Sequence, residues 1–140
     1  MTTEANKALV RRYREAYNAN NLDLLDDILS PDLVAHSLMP GFPPGLESYK
    51  QLHQGTVAAF PDVRVQTEAL IAEGDLVVER WAQTMTHTGI PLFGAPAASG
   101  KKVRVTGISI YRIAGDKIVE HWGEMNFHSV LMQLGVLPAP

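Results

Sequence analysis

Hydrophobic positions recur at three- and four-residue steps from the start of the chain. Ala5, Leu9, Tyr13, Ala16 and Tyr17 share one face, while Lys7, Arg11, Arg12 and Glu15 fall elsewhere. That spacing predicts an amphipathic helix, with Thr3 as its N-cap and Glu4 near its positive end. Asn18-Ala19-Asn20-Asn21 ends it. Leu22, Leu25, Ile28 and Leu29 predict a second, shorter helix. It stops at Ser30-Pro31, because the residue before a proline is pushed out of the α region. Leu33 to Leu38 predicts a short strand with Val34, His36 and Leu38 on one face. Met39-Pro40-Gly41-Phe42-Pro43-Pro44-Gly45 predicts a loop. A third helix carries Tyr49, Leu52, His53, Thr56, Val57 and Phe60 and closes at Pro61-Asp62.

The period then changes to two. Val63, Val65, Thr67, Ala69 and Ile71 alternate with Arg64, Gln66, Glu68 and Leu70, the repeat of a strand. Glu73-Gly74-Asp75 is a turn, and Leu76 to Thr88 predicts a long strand. Gly89 to Gly100, rich in Gly, Pro and Ala, predicts a loop. Val103 to Ile113 is the next strand, Ala114-Gly115-Asp116 a turn, and Lys117 to about Met125 the last strand. Phe127 to Leu134 predicts a closing helix, ended by Gly135 and Pro138. Helices first and an antiparallel meander afterwards define an α+β domain spanning 1–140. Long strands folded around helices leave room for a cavity between the layers.

Composition narrows the function classes. The chain has 140 residues, 46% hydrophobic and 19% charged, which excludes a disordered or low-complexity chain. With no cysteine there is no disulfide framework, thiolate nucleophile or cysteine zinc site. A formal charge of −3 and a pI near 5.9 give no footprint for nucleic acid. No apolar run is long enough to span a membrane. The first residues lack the order of a signal peptide, so the expected location is cytoplasmic. Dinucleotide, phosphate-loop, zinc-protease, calcium-loop and serine-elbow signatures are absent, and neither metal nor cofactor is expected.

Polar residues on strand faces are the candidates for chemistry. The alternation places Arg80 and Thr84 with Leu76 and Val78 on one face, and Glu79, Trp81, Gln83, Met85 and His87 on the other. On the last strand, Ile118, Glu120, Trp122, Glu124 and Asn126 share a face unless a bulge intervenes. Glu120 has a structural use as well, pairing with Arg80 or Arg104 across the sheet. His36, beside the proline loop, is either a wall residue or a base. His121 alternates with Trp122 and is expected to face solvent or a subunit contact. Tyr17 and Phe60 serve either as core or as ligand contacts.

Several runs are similar to a known family. They are Phe60-Pro61-Asp62-Val63-Arg64-Val65, Glu73 to Trp81, Thr86-His87-Thr88-Gly89, Gly100-Lys101-Lys102-Val103, Lys117 to Trp122, and Gln133 to Pro138. In this order, over nearly the whole chain, they resemble the SnoaL-like polyketide cyclases, or SnoaL-like ester cyclases, of the NTF2-like superfamily. The resemblance implies a cone: a curved antiparallel sheet wrapped around three N-terminal helices, with a deep internal pocket. It also implies ring closure by intramolecular aldol condensation without metal or cofactor, with an acidic side chain on the last strand moving the protons.

In many relatives that aspartate lies four residues beyond the tryptophan, where this chain has Asn126. In others it directly follows the tryptophan, where this chain has Gly123. An amide donates hydrogen bonds to an enolate oxygen but takes no proton at neutral pH. The expected catalytic set is therefore Glu124 or His36 as base, with Asn126 and Arg80 as oxyanion donors. Trp122, Tyr17, Phe60 and Thr84 complete the expected binding wall for a small apolar carbonyl compound. A binding protein that has lost the acid, and a hydrolase or dehydratase using the same pocket, remain open alternatives. Relatives pair through the convex sheet face, so a homodimer is expected, with Glu79, Trp81, Gln83 and Met85 or their neighbours on that face.

Overall fold

The computed structural model describes residues 2–36, 38 and 41–138. Among them, helix α1 (Thr3–Asn18) is followed by α2 (Leu22–Ile28), strand β1 (Leu29–Ala35) and α3 (Leu46–Ala59). Then come β2 (Arg64–Glu73), β3 (Leu76–Thr86), β4 (Lys102–Ala114), β5 (Lys117–Met125) and α4 (Phe127–Gln133). Three helix starts, those of α1, α2 and α4, have a side-chain cap. The Thr2 hydroxyl, one residue ahead of the expected cap, accepts from Ala5 N–H at 3.0 Å. Asn21 accepts from Leu24 N–H at 3.1 Å, and Asn126 from Ser129 N–H at 3.0 Å. Each side chain satisfies a donor that the first helical turn leaves open.

The sheet order is β1-β5-β4-β3-β2. Strands β2 to β5 form the expected antiparallel meander, but β1 pairs with β5 in parallel, so the sheet is mixed. The parallel pairing joins segments some 85 residues apart in sequence, and no local pattern announces it. At the opposite edge, Asn18 at the end of α1 accepts from Val65 N–H and donates to Val65 C=O, both at 2.8 Å.

Register fixes which residues look inward, toward the helices. Tyr111 lies opposite Val77 and His121, Ser109 opposite Glu79 and Gly123, and Gly107 opposite Trp81 and Met125. Val77, Glu79, Trp81, Ser109 and Tyr111 are all buried. The expectation for β3 is therefore inverted: Arg80 and Thr84 are exposed on the outer face, while Glu79, Trp81, Gln83 and Met85 are inside. Bulges account for two more reversals. One between Thr67 and Ala69 turns Ile71 outward, where it is 66% exposed, and brings Leu70 and Ala72 in. Another lets both Ile118 and His121 face inward, because Ile113 pairs with Ile118 whereas Arg112 pairs with Glu120. Trp122, Glu120 and Glu124 therefore face outward.

The core lies between helices and sheet in two parts. One packs Leu9, Val10 and Tyr13 of α1 and Leu25 and Ile28 of α2 on Val77, Tyr111, Ile113 and Ile118. The other packs Phe60, Val63 and Val65 with Trp81, Met85, Val103 and Val105 beneath Val130 and Leu134 of α4. The Trp81 ring lies flat on Gly107, where a Cβ would sit 2.2 Å from the ring.

Candidate functional site

Buried arginine and glutamate meet at the centre of the inner face. Arg14, on the buried stripe of α1, donates from Nε to Glu79 Oε2 at 3.0 Å and from a terminal nitrogen to Oε1 at 2.7 Å. Tyr111 O–H donates to Glu79 Oε1 at 2.7 Å and Thr67 O–H to Oε2 at 2.6 Å. Burial alone would raise the Glu79 carboxyl, but these bonds and the Arg14 charge hold it below the ordinary carboxylate value. Glu79 is wholly buried, and this fully bonded charge pair is what allows it to be inside.

Aromatic hydroxyls and imidazoles surround that pair. Tyr13 and Tyr49 share a hydroxyl-to-hydroxyl hydrogen bond. The Arg14 guanidinium lies 5.1 Å over the Tyr13 ring and 5.0 Å over the Tyr17 ring. His53 packs on Tyr17, ring centroids 4.2 Å apart, and its Nε2 meets Asn20 Oδ1 at 3.0 Å. His121 stands between Tyr49 and Tyr111, 5.3 and 5.2 Å from their ring centres. Burial, reinforced by Arg14, pulls the His121 pKa down to about 4, so its ring is neutral at physiological pH. Its nitrogens make no hydrogen bond among the described residues, and the side chain is only half-buried. Gly123 gives the ring room: a Cβ there would lie 3.1 Å from His121 Cε1.

Of the expected site residues, only Tyr17 and Phe60 are in the interior. Phe60 is buried in the second core part against His87, 5.4 Å between rings. His36 ends β1 on the outer side, stacks on Trp122 at 4.9 Å and meets Glu120 Oε2 at 2.6 Å. Glu120 is in turn bound by Arg112 Nε at 3.0 Å, and Arg112 by Asp75. The expected ion pair of Glu120 is thus with Arg112, one strand away, instead of Arg80 or Arg104. Glu124 is exposed opposite Ile108, Arg80 and Thr84 are exposed on the same outer face, and Asn126 caps α4. The structure does not bring Glu124, Asn126, His36 and Arg80 together around one interior space.

The sequence does not single out Arg14, Tyr49 or Tyr111; Glu79, expected on the pairing face, and His121, expected toward solvent or a subunit contact, both turn inward. The available signal was Arg14, which sits among Val10, Tyr13 and Tyr17 on the apolar stripe of α1 and requires an acidic partner inside. Open grooves of about 540 and 530 Å³ flank α1. The larger runs along the β2 edge and reaches Arg14 and Thr67 at its floor. Among the described residues no group of three or more histidines and carboxylates is placed to hold a metal ion, and no helix is long and apolar enough to cross a membrane.

Comparison with known proteins places this architecture. Over 99% of the chain and 86% of its counterpart, it superposes on the candidate hydroxylase AclR of Streptomyces galilaeus with 29% identity and a TM-score of 0.88. TsrD of Streptomyces laurentii gives 27% identity over 98% of this chain and 99% of that one, with a TM-score of 0.86. IdmH of Streptomyces antibioticus, a candidate polyketide cyclase, gives 30% identity over 93% and 98%, with a TM-score of 0.80. No curated protein matches the chain. Residues 7–134 match the family described as SnoaL-like polyketide cyclase, and the chain belongs to that family, with an NTF2-like fold.

Proposed function

We propose that this protein performs cofactor-independent acid–base chemistry on a small apolar, carbonyl-bearing molecule, with His121 as the proton acceptor. The observation that carries the reading is the state of His121: neutral, half-buried, facing inward and without a hydrogen-bond partner among the described residues. His36 is already engaged with Glu120, and Glu124 stands outside, so neither is free to act inside. Taking a proton from the carbon next to a carbonyl and returning it after the new bond forms is what an aldol cyclisation needs. The polyketide cyclase assignment of IdmH supports the same class of substrate. Substrate would enter beside Tyr49 and His121, the half-buried members of the site.

The test is deuterium uptake next to the carbonyl of β-keto esters in D₂O, read by mass. Wild type should exchange, His121→Ala should lose at least 100-fold, and Glu124→Gln and His36→Ala should match wild type. A wild type that binds these esters but exchanges no proton would favour the binding-protein reading. That reading draws on Asn126, whose side chain is used to cap α4.

A homodimer through the outer sheet face belongs to the same proposal. Ile71, Val78, Ile110 and Trp122 lie side by side in register across β2 to β5, an apolar belt facing outward. This belt replaces the expected Glu79, Trp81, Gln83 and Met85, which the fold places inside.

A further inference from the structure

A proton acceptor as weak as His121 takes a proton from carbon only if the charge that develops on the carbonyl oxygen is stabilised at the same moment. The interior must then hold a donor with a hydrogen to spare. Between the two tyrosines packed on His121, Tyr49 and Tyr111, a count of donors and acceptors finds one. Glu79 receives four bonds, two on each oxygen, from Arg14 twice, Tyr111 and Thr67, and these fill its acceptor sites. Tyr111 spends its hydrogen there. Tyr13 and Tyr49 together own two hydroxyl hydrogens, and their mutual bond uses one. The second has no acceptor among the described residues.

Geometry bears on which tyrosine keeps it. Tyr13 is 1% exposed and lies under the Arg14 guanidinium, which favours negative charge on that phenol and makes it the stronger donor. Either hydroxyl can donate in that bond; with Tyr13 as the donor, the hydrogen of the more exposed Tyr49 is left unspent. Tyr49 is half-buried on α3 and packs edge-on against the His121 ring. The spare donor and the spare acceptor thus stand beside each other, one on a helix and one on the facing strand.

We propose that Tyr49, backed by Tyr13 and Arg14, donates its hydroxyl hydrogen bond to the substrate carbonyl oxygen while His121 removes the neighbouring proton. This rests on the reading of His121 given above. In the step, the carbon–hydrogen bond breaks, the proton passes to the imidazole, and the electron pair moves toward the oxygen that Tyr49 holds. In a cyclisation the enolate carbon then attacks a second carbonyl of the same molecule, and the resulting alkoxide takes the proton back from His121. No oxidant, reductant or second substrate is needed. Tyr13 and Arg14 are positioning residues in this scheme.

Two readouts test it. In the β-keto ester exchange assay, Tyr49→Phe should lower the rate about 100- to 1000-fold with KM changed less than about threefold, the loss typical of one oxyanion donor. Tyr13→Phe, which leaves the Tyr49 hydroxyl in place but removes its polarising partner, should lose about tenfold. The second readout needs no turnover: 2-naphthol fluorescence reports whether the bound probe is the neutral alcohol or the anion. Wild type should bind the anion at a pH below the probe's pKa in water, and Tyr49→Phe should shift that transition back up. Exchange abolished in His121→Ala but unchanged in folded Tyr49→Phe and Tyr13→Phe overturns the role of Tyr49 alone. Absence of exchange in wild type, with Tyr49-dependent anion binding intact, defeats the acid–base reading and retains the donor. If Tyr49→Phe does not fold, a Tyr13→Phe variant with wild-type exchange and wild-type probe transition overturns the proposal. So does failure of wild type to favour the bound anion.

Discussion

The two parts of the core share one sheet face and differ in kind. Beneath α4, Phe60, Val63, Val65, Met85, Val103 and Val105 pack with a few neutral polar partners: the Trp81–Ser109 bond of 2.9 Å, the Gln83 amide on the Met85 sulfur at 3.2 Å, and His87 held by Ser99 and the Ile90 carbonyl. Beneath α1 and α3, aromatic rings alternate with an arginine, a glutamate and two histidines, most of whose polar atoms have named partners. Shape and volume specify the first part, so it is a scaffold. In the second, a buried charge such as Glu79 depends on particular neighbours, Arg14, Thr67 and Tyr111, while a few polar groups are left poised for a ligand.

The largest effect should come from splitting the charge pair. Arg14→Met or Glu79→Met alone should cost about 3–5 kcal/mol in urea unfolding, because each leaves a buried charge uncompensated. The double Met variant should recover most of that loss; a double variant as unstable as the worse single one would break the contrast.

Acid should act next, and on the same part. Unfolded, the His121 imidazole takes a proton near 6.5; folded, it does so only at about 4. Between these values the unfolded chain binds more protons. Stability is therefore complete above about pH 6.5 and falls as pH drops toward 4, by up to about 1.4 kcal/mol per unit. His53, lowered by burial and by Arg14, adds in the same direction. Unfolding curves of His121→Phe measured from pH 7 to 4 should be visibly flatter than those of wild type.

The scaffold part should respond weakly. Met85→Leu conserves volume and should cost less than about 1.5 kcal/mol. Asn126→Ala removes the cap of the helix that covers this part and should cost about 1 kcal/mol. Thermal melts measure both, and a several-fold larger loss in either would mean that the scaffold is as closely specified as the polar part.

Helices, loops and the meander were legible because period and punctuation are local. The faces were less so, for reasons that particular residues make clear. A bulge is one extra residue and leaves no mark on composition, yet those near Thr67 and Val119 turned Ile71 out and His121 in. Glu79 shares a face with Trp81, Gln83 and Met85 that the expected dimer puts outside, and only a residue on another element, Arg14, makes it an inward residue. Asn126 and Gly123 stood out in the sequence for what they lack. In the fold one caps a helix and the other leaves room for an imidazole, uses that no spacing rule reveals.

One further consequence concerns self-association. A sheet ending in an unpaired strand invites another chain to add on, the usual beginning of aggregation. Asn18 answers the N–H and C=O of Val65 on the outer strand β2, as a neighbouring strand would. At that point the sheet is closed by its own first helix, and an incoming strand would have to displace a side chain before it could template.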